Sequence, residues 1–363
     1  ADRRLRAAGR SWSSPGKVCR EAGKPLIPHE YDLPAPGPDQ ALVRVFGCGV
    51  CHTDISFATG QVQPRHPLPL VLGHEIGGVV EQAGGPHRNL VGRKVIVPAV
   101  MPCGQCAMCR AGFENTCKAQ FMPGNDGHGG FASHLLVPAR TLAPLPDRLS
   151  EQEVAEISVI ADAVTTPYQT MVRANLKAGE VAIVLGTGGI GTYGVQIAAA
   201  LGATVFAIDI DDAKLARVAQ YGAKYVYNSR GQDLKTARAA IRDLVKKAGL
   251  PDFGWKVFEM SGTAAGQELA FNLIPPGGTL AIVGFTMDAV KVRLSNLMAL
   301  DAACFGNWGC APKHYPAAIA LVLEGRVQVK PFVKTHPLSQ INEIFDLAHH
   351  GKLTERAVLL PGK

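Results

Sequence analysis

Between residues 181 and 209 the apolar positions fall into short blocks separated by glycine-rich punctuation. "VAIVL" (181–185) is a β-branched run suited to a buried parallel strand, "GTYGVQIAAALG" (191–202) suits a helix packed through small residues, and "TVFAID" (204–209) opens a second strand. Further along, "VFEMSG" (257–262) and "TLAIVGF" (279–285) repeat the strand pattern between helical stretches. The alternation predicts an α/β fold with a doubly wound parallel sheet. No run of roughly eighteen uninterrupted apolar residues occurs, so no membrane-spanning helix is expected. Neither an internal repeat nor a low-complexity linker interrupts the pattern.

The turn between the first strand and helix carries chemistry. Gly186, Gly188 and Gly191, with Gly189 and Ile190 between them, form G-x-G-x-x-G. With 40 glycines in the chain, about half of one accidental match is expected, so the motif gains its meaning from the strand before it and the helix after it. In that context the glycines let the backbone approach a pyrophosphate at the helix N-terminus, where unpaired N–H groups favour an anion. Asp209 ends the second strand 23 residues after Gly186, where a carboxylate accepts hydrogen bonds from adenosine ribose hydroxyls and repels a 2′-phosphate. NAD is therefore expected rather than NADP.

A chain of 363 residues suits two domains, and 47% hydrophobic with 18% charged residues is ordinary for a globular protein. The net charge is +7, but Arg3, Arg4, Arg6, Arg10 and Lys17 against Asp2 place +4 of it in the first seventeen residues. The remainder is too diffuse to argue for nucleic acid. The Arg-rich start lacks the apolar stretch of a secretory signal; it faintly resembles an organelle transit segment, and a solvated terminal arm is the expectation. Nine cysteines, an odd number clustered in one place, do not make a secreted disulfide framework and point to a cytoplasmic protein.

Four of the nine stand at Cys103, Cys106, Cys109 and Cys117, a C-x2-C-x2-C-x7-C spacing. Independent placement would produce it somewhere in the chain with probability on the order of 10⁻⁴. Four thiolates satisfy the tetrahedral preference of zinc and leave no open position, which implies a structural ion. An iron–sulfur cluster also accepts four thiolates, so the ligands alone do not exclude it. Upstream, "GCGVCHTD" (47–54) and "GHEIGGVVEQAG" (73–84) offer Cys51 and His74 as two ligands of a second, open zinc site.

Gly73, His74, Glu75, Gly78 and Gly84 match G-H-E-x2-G-x5-G, and with the four-cysteine lobe the chain resembles the zinc-dependent medium-chain dehydrogenases. His87 stands where that family usually has a small or branched apolar residue. The resemblance implies a GroES-like, mainly β catalytic domain over 1–162 with a zinc lobe near 99–120, a Rossmann domain over 163–304, and a C-terminal part over 305–363 completing the first. It also implies that Cys51 and His74 bind catalytic zinc, that Glu75 lies beside or transiently on it, and that Asp54 supports His74. Thr53 takes the hydroxyl position of a proton relay, whose usual terminal histidine is here Ser56.

The family's third ligand is usually a cysteine six residues before a tyrosine; in "ADAVTTPY" (161–168) the matching residue is Asp162. A carboxylate keeps the charge of a thiolate but is a harder ligand. The competing reading has Asp162 capping a helix or pairing with a cation while Glu75 or Glu156 completes the metal shell. For the cofactor, the resemblance adds Lys214, Val283, Phe305 in "CFGNWG" (304–309), and Arg356 as a pyrophosphate contact.

An open zinc and a nicotinamide imply oxidation of an alcohol by hydride transfer, with two zinc ions and NAD per chain. The stretches "VGRKVIVPAVMPCGQC", "MPGNDGHGGFASHLLVPA", "ISVIADAVTTPYQT" and "FGNWG" are similar to those of members that oxidise a cyclic secondary alcohol carried on a CoA thioester. A general secondary-alcohol dehydrogenase, an enone or enoyl-CoA reductase, and an NAD-binding regulator without catalysis are the alternatives. The expected partner is a small CoA-thioester or alcohol substrate, with no nucleic acid or membrane, in a homodimer or homotetramer.

Overall fold

The computed structural model describes residues 12–362, so Arg3, Arg4, Arg6 and Arg10 of the basic start lie outside the described residues. The chain forms two compact units. Among the described residues, the first comprises 12–162, 309–316 and 329–362; the second comprises 163–308 and 317–328.

The first unit is built around the strand Gln40–Gly49, buried at nearly every position because sheet neighbours cover its edges and packed side chains its faces. It pairs antiparallel with Glu75–Ala83, with His134–Pro138 and, at its end, with Arg356–Leu360. Strands Lys94–Val97, Ala143–Pro144 and Val333–Pro337 complete a seven-stranded sheet, and Trp12–Cys19, Ile27–Leu33 and Leu70–Val71 form a three-stranded one. Val43, Ile76, Val80, Val95, Phe131 and Leu135 are buried between these layers. Each such side chain contributes about 1.5–3 kcal/mol by leaving water, and truncating Ile76 to Ala would cost about 2–5 kcal/mol.

Register decides the chemistry here. Gly49 stands opposite Glu75 on one side and Val358 on the other, so the end of one strand brings together a carboxylate from the second strand and Arg356 from the last. Gly49 is required: a Cβ there would lie 2.2 Å from Glu75 Oε2.

The second unit is a six-stranded sheet, parallel at every pairing, in the order Tyr225–Asn228, Thr204–Asp209, Val181–Leu185, Lys256–Glu259, Thr279–Ile282, Ala303–Gly306. Helices cover it. In Leu234–Lys247, capped by the Asp233 side chain on Thr236 N–H, the buried residues Ala237, Ile241 and Val245 recur every four positions and form the stripe that faces the core. This unit extends past the expected limit at 304. Ala303–Gly306 pairs with Thr279–Ile282 and so belongs to the cofactor sheet, while Gln328 N–H donates to Gln196 Oε1 at 2.7 Å and ties 317–328 to the same unit. Among the described residues no helix is long and apolar enough to cross a membrane.

Candidate active site

Cys51 caps the helix His52–Thr59, and the cap is built by Asp54, whose Oδ2 accepts Cys51 N–H at 3.0 Å. The other oxygen of Asp54 accepts Gly73 N–H at 3.1 Å and His74 Nδ1–H at 3.0 Å. Asp54 is fully buried, so these bonds satisfy a carboxylate that would otherwise be costly to desolvate. With Nδ1 protonated, His74 Nε2 presents its lone pair to the centre.

There it meets two more donor atoms. Asp162 Oδ2 lies 3.8 Å from His74 Nε2 and 3.8 Å from Cys51 Sγ, and the three donors fall within 4.8 Å of one another. A tetrahedral zinc with ordinary bond lengths needs ligand–ligand edges of about 3.3–3.5 Å, so the two edges to Asp162 reach that geometry by closing a few tenths of an ångström. Without a metal, burial works against a charge on His74, yet Asp54 and the Cys51 thiol group outweigh it and raise its pKa well above the ordinary value. Thr53 Oγ1 stands 3.7 Å from Cys51 Sγ, and Ser56 follows on the same helix.

Glu75 and Arg356 have different partners from those expected. Rather than joining the donor cluster, Glu75 binds Arg356 through both oxygens: Nε to Oε2 at 2.7 Å and Nη2 to Oε1 at 2.6 Å. Glu75 is fully buried, and a carboxylate there requires a cation, which Arg356 supplies. Arg356 thus carries this pair, where the resemblance implied a pyrophosphate contact. Glu156 lies 3.9 Å from Lys330 and is not in the cluster, and His87 Nε2 is 3.8 Å from the exposed Asp39. Asp162 ends the 3₁₀ turn Ile157–Ala161 rather than capping a helix start.

The four cysteines converge as their spacing predicts. Cys106 Sγ lies 3.5 Å from Cys109 Sγ and 3.7 Å from Cys117 Sγ, close to the edge of about 3.8 Å that tetrahedral zinc–thiolate geometry requires. Backbone N–H groups of Gln105 and Cys106 pull Cys103 down to about 6, favouring the thiolate that a metal needs.

In the second unit Gly186 adopts φ +85°, and a Cβ on Gly191 would lie 1.7 Å from Gly186 O, so the turn closes only with glycine. Gly188 faces open space, and Gly189 and Ile190 lead into the helix Gly191–Ala200. Asp209 Oδ2 accepts Thr187 N–H at 2.6 Å and its hydroxyl at 2.8 Å, while Oδ1 accepts Ile210 N–H at 2.7 Å. Lys214 sits in the first turn of Asp212–Ala219, Val283 N–H donates to Glu259 O, and Phe305 lies 4.5 Å beneath the Arg173 guanidinium.

Sequence reasoning missed Glu259. It is fully buried, and its Oε1 accepts Ser261 N–H at 2.7 Å and Gly262 N–H at 3.2 Å, bracing the turn that packs on Gly186. The available signal was a carboxylate inside the apolar run "VFEMSG".

The family described as alcohol dehydrogenase GroES-like domain matches residues 37–147, and that described as zinc-binding dehydrogenase matches 189–324. An alcohol dehydrogenase of Geobacillus stearothermophilus is 32% identical over 345 residues, covering 94% of this chain and 98% of its own. The crystal structure of the alcohol dehydrogenase from Aeropyrum pernix superposes with a TM-score of 0.85 at 28% identity, covering 96% of this chain and 100% of its own. That of AibC gives 0.86 at 27%, covering 97% and 96%.

Proposed function

For a chain that belongs to the zinc-binding alcohol dehydrogenase family, and so is an oxidoreductase acting on CH–OH donors, we propose a finer role: NAD-linked oxidation of a cyclic secondary alcohol carried on a CoA thioester. The specific reading is 6-hydroxycyclohex-1-ene-1-carbonyl-CoA dehydrogenase, forming the 6-oxo product during anaerobic breakdown of aromatic compounds. The observation that carries it is Asp162, a carboxylate converging with Cys51 and His74 within "ISVIADAVTTPYQT", one of the stretches similar to that enzyme.

Cys51, His74 and Asp162 would hold the catalytic zinc, and Cys103, Cys106, Cys109 and Cys117 a structural one. The catalytic ion supplies Lewis acidity that makes alcohol ionisation accessible near neutral pH. NAD supplies the hydride acceptor. Asp54 fixes the His74 tautomer and keeps its Nε2 directed at the ion. Thr53 receives the alcohol proton at Oγ1 and passes it on. The turn Gly186–Gly191, at the start of the helix Gly191–Ala200, would hold the pyrophosphate through backbone N–H groups, and Asp209 would hold the adenosine ribose and disfavour a 2′-phosphate. Lys214, Val283 and Phe305 complete the cofactor contacts.

Self-association as a homodimer or homotetramer is supported by the edge strand Ala303–Gly306 together with exposed Phe285, Met287, Leu294 and Met298. Nine free cysteines suit a reducing, cytoplasmic compartment.

A general secondary-alcohol dehydrogenase is the second reading, favoured by the names of the relatives. A substrate panel separates the two. With NAD, the cyclic hydroxyacyl-CoA should give NADH far faster than the free cyclic alcohol; equal turnover of both overturns the CoA assignment and leaves the general one.

A further inference from the structure

The Tyr315 side chain is buried at 1% exposure in the segment 309–316, where the chain returns to the first unit. Its hydroxyl accepts Ala99 N–H at 3.1 Å and donates to Ala161 O. Ala161 immediately precedes Asp162, and both bonded backbone residues are buried, Ala99 at 3% and Ala161 at 0%. We propose that Tyr315 is a positioning residue for Asp162: its hydroxyl clamps the backbone from which the carboxylate reaches Cys51 and His74. This rests on the reading of Asp162 as a metal ligand.

Three observations carry the inference. First, Asp162 sits at an irregular point of the backbone: its N–H reaches Val159 O at 3.4 Å, at a residue with φ −137° and ψ −56° that ends a 3₁₀ turn. Second, Asp162 is the last residue of the first unit before the chain leaves it, and the carbonyl that Tyr315 holds belongs to the peptide group directly preceding the ligand. Third, packing is not the whole support of the clamping segment. A cavity of about 360 Å³, lined by Pro102, Leu142, Pro144, Pro312 and Pro316, borders the residues that flank Tyr315.

A metal shell tolerates errors of only about 0.2 Å in ligand distance. Asp162 Oδ2 already stands a few tenths of an ångström wide of tetrahedral spacing from both neighbours, so any drift of its backbone opens the shell further. Removing the Tyr315 hydroxyl takes a buried hydrogen bond from the Ala99 amide and another from the Ala161 carbonyl. Outer partners of metal ligands typically affect affinity by about 10–100-fold.

The test compares Tyr315→Phe with Asp162→Ala in the full-length protein, loaded with cobalt at the open site and zinc at the four-cysteine site. Tyr315→Phe should retain the thiolate-to-cobalt absorption band but shift its d–d bands and speed cobalt release to a chelator by about tenfold. Release of the four-cysteine metal and the thermal midpoint serve as controls for a general loss of structure. If Asp162→Ala loses the cobalt while Tyr315→Phe releases it at the wild-type rate with unchanged bands, the clamp is refuted and the ligand reading stands. If Asp162→Ala holds cobalt normally, the ligand reading falls and the clamp with it. Equal acceleration of both metals, or collapse of the fold, would make Tyr315 a general structural residue and also overturn the proposal.

Discussion

Arg356 grips Glu75 with two hydrogen bonds of 2.7 and 2.6 Å across a sequence separation of 281 residues, and both side chains are buried. The last strand of the chain is thereby fixed beside the loop that carries Cys51. Burial opposes the charge on Arg356, but the attraction of Glu75 outweighs it and pushes its pKa up. Removing only the carboxylate, as in Glu75→Ala, strands a buried guanidinium and should lower folding stability by about 3–5 kcal/mol. Urea unfolding checks this, and the double variant Glu75→Gln with Arg356→Met should be less impaired than the sum of its parts. Simple additivity would show that the two residues act separately.

Asp162→Ala is expected to lose the open-site zinc and most of the activity while the four-cysteine zinc stays. Asp162→Cys should restore metal binding with an altered rate, because sulfur donates more charge to the ion than a carboxylate oxygen. Elemental analysis of the two variants decides. Two zinc ions remaining in Asp162→Ala would return the third position to another residue.

Much of this arrangement was legible in the chain, and the limits are physical. "TVFAID" forms Thr204–Asp209 as its composition suggests, and "VAIVL" forms Val181–Leu185, because both are buried β-branched runs with period and length set locally. "VFEMSG" stops short, at Glu259, since that residue's own carboxylate captures the amides of Ser261 and Gly262 and bends the chain out of the ladder. The four-cysteine lobe is visible because its ligands are close in sequence. Nothing local announces that Arg356 faces Glu75 or that Tyr315 meets Ala161; those contacts arise from strand register and from the return of the chain after the cofactor unit.

The two metals should differ in lability. One donor set is closed by four thiolates and the other mixes Cys51, His74 and Asp162. Timed chelation should remove the open-site ion first, together with activity, with far-ultraviolet circular dichroism unchanged until the second ion leaves. Simultaneous loss of both ions would contradict the distinction.

The proposed role of Asp209 has two parts that substitution can separate. Its Oδ2 accepts the Thr187 N–H and hydroxyl, ordering the glycine turn, while its charge would oppose a 2′-phosphate. Asp209→Asn keeps an acceptor and should mainly relax the preference for NAD over NADP; Asp209→Gly should also weaken NAD itself, by roughly tenfold or more for two lost hydrogen bonds. Cofactor titrations of both variants test this. An unmodified enzyme that uses both cofactors equally would remove its basis.

A pH-dependent contribution to stability lies away from the metals. His134 Nε2–H donates to Glu81 Oε2 at 3.2 Å, and Arg44 Nε reaches Glu81 Oε1 at 2.8 Å, joining the strands Gln40–Gly49, Glu75–Ala83 and His134–Pro138. The hydrogen bond from His134 is the largest influence on Glu81 and lowers its pKa, against burial, below the ordinary 4.5. A carboxylate with a depressed folded-state pKa binds fewer protons folded than unfolded between the two values, so its stabilisation is complete above about 4.5 and fades as pH falls through the folded value. Glu81→Gln should therefore cost about 1–3 kcal/mol at pH 7, since a charge-assisted bond to a buried histidine is weakened. The gap between variant and wild type in urea midpoint should narrow steadily below pH 4.5. Taking the difference cancels the effect of acid on both metal sites, which the two proteins share. A gap that stays constant from pH 7 to pH 3.5 would mean that Glu81 contributes through shape and packing rather than through its charge.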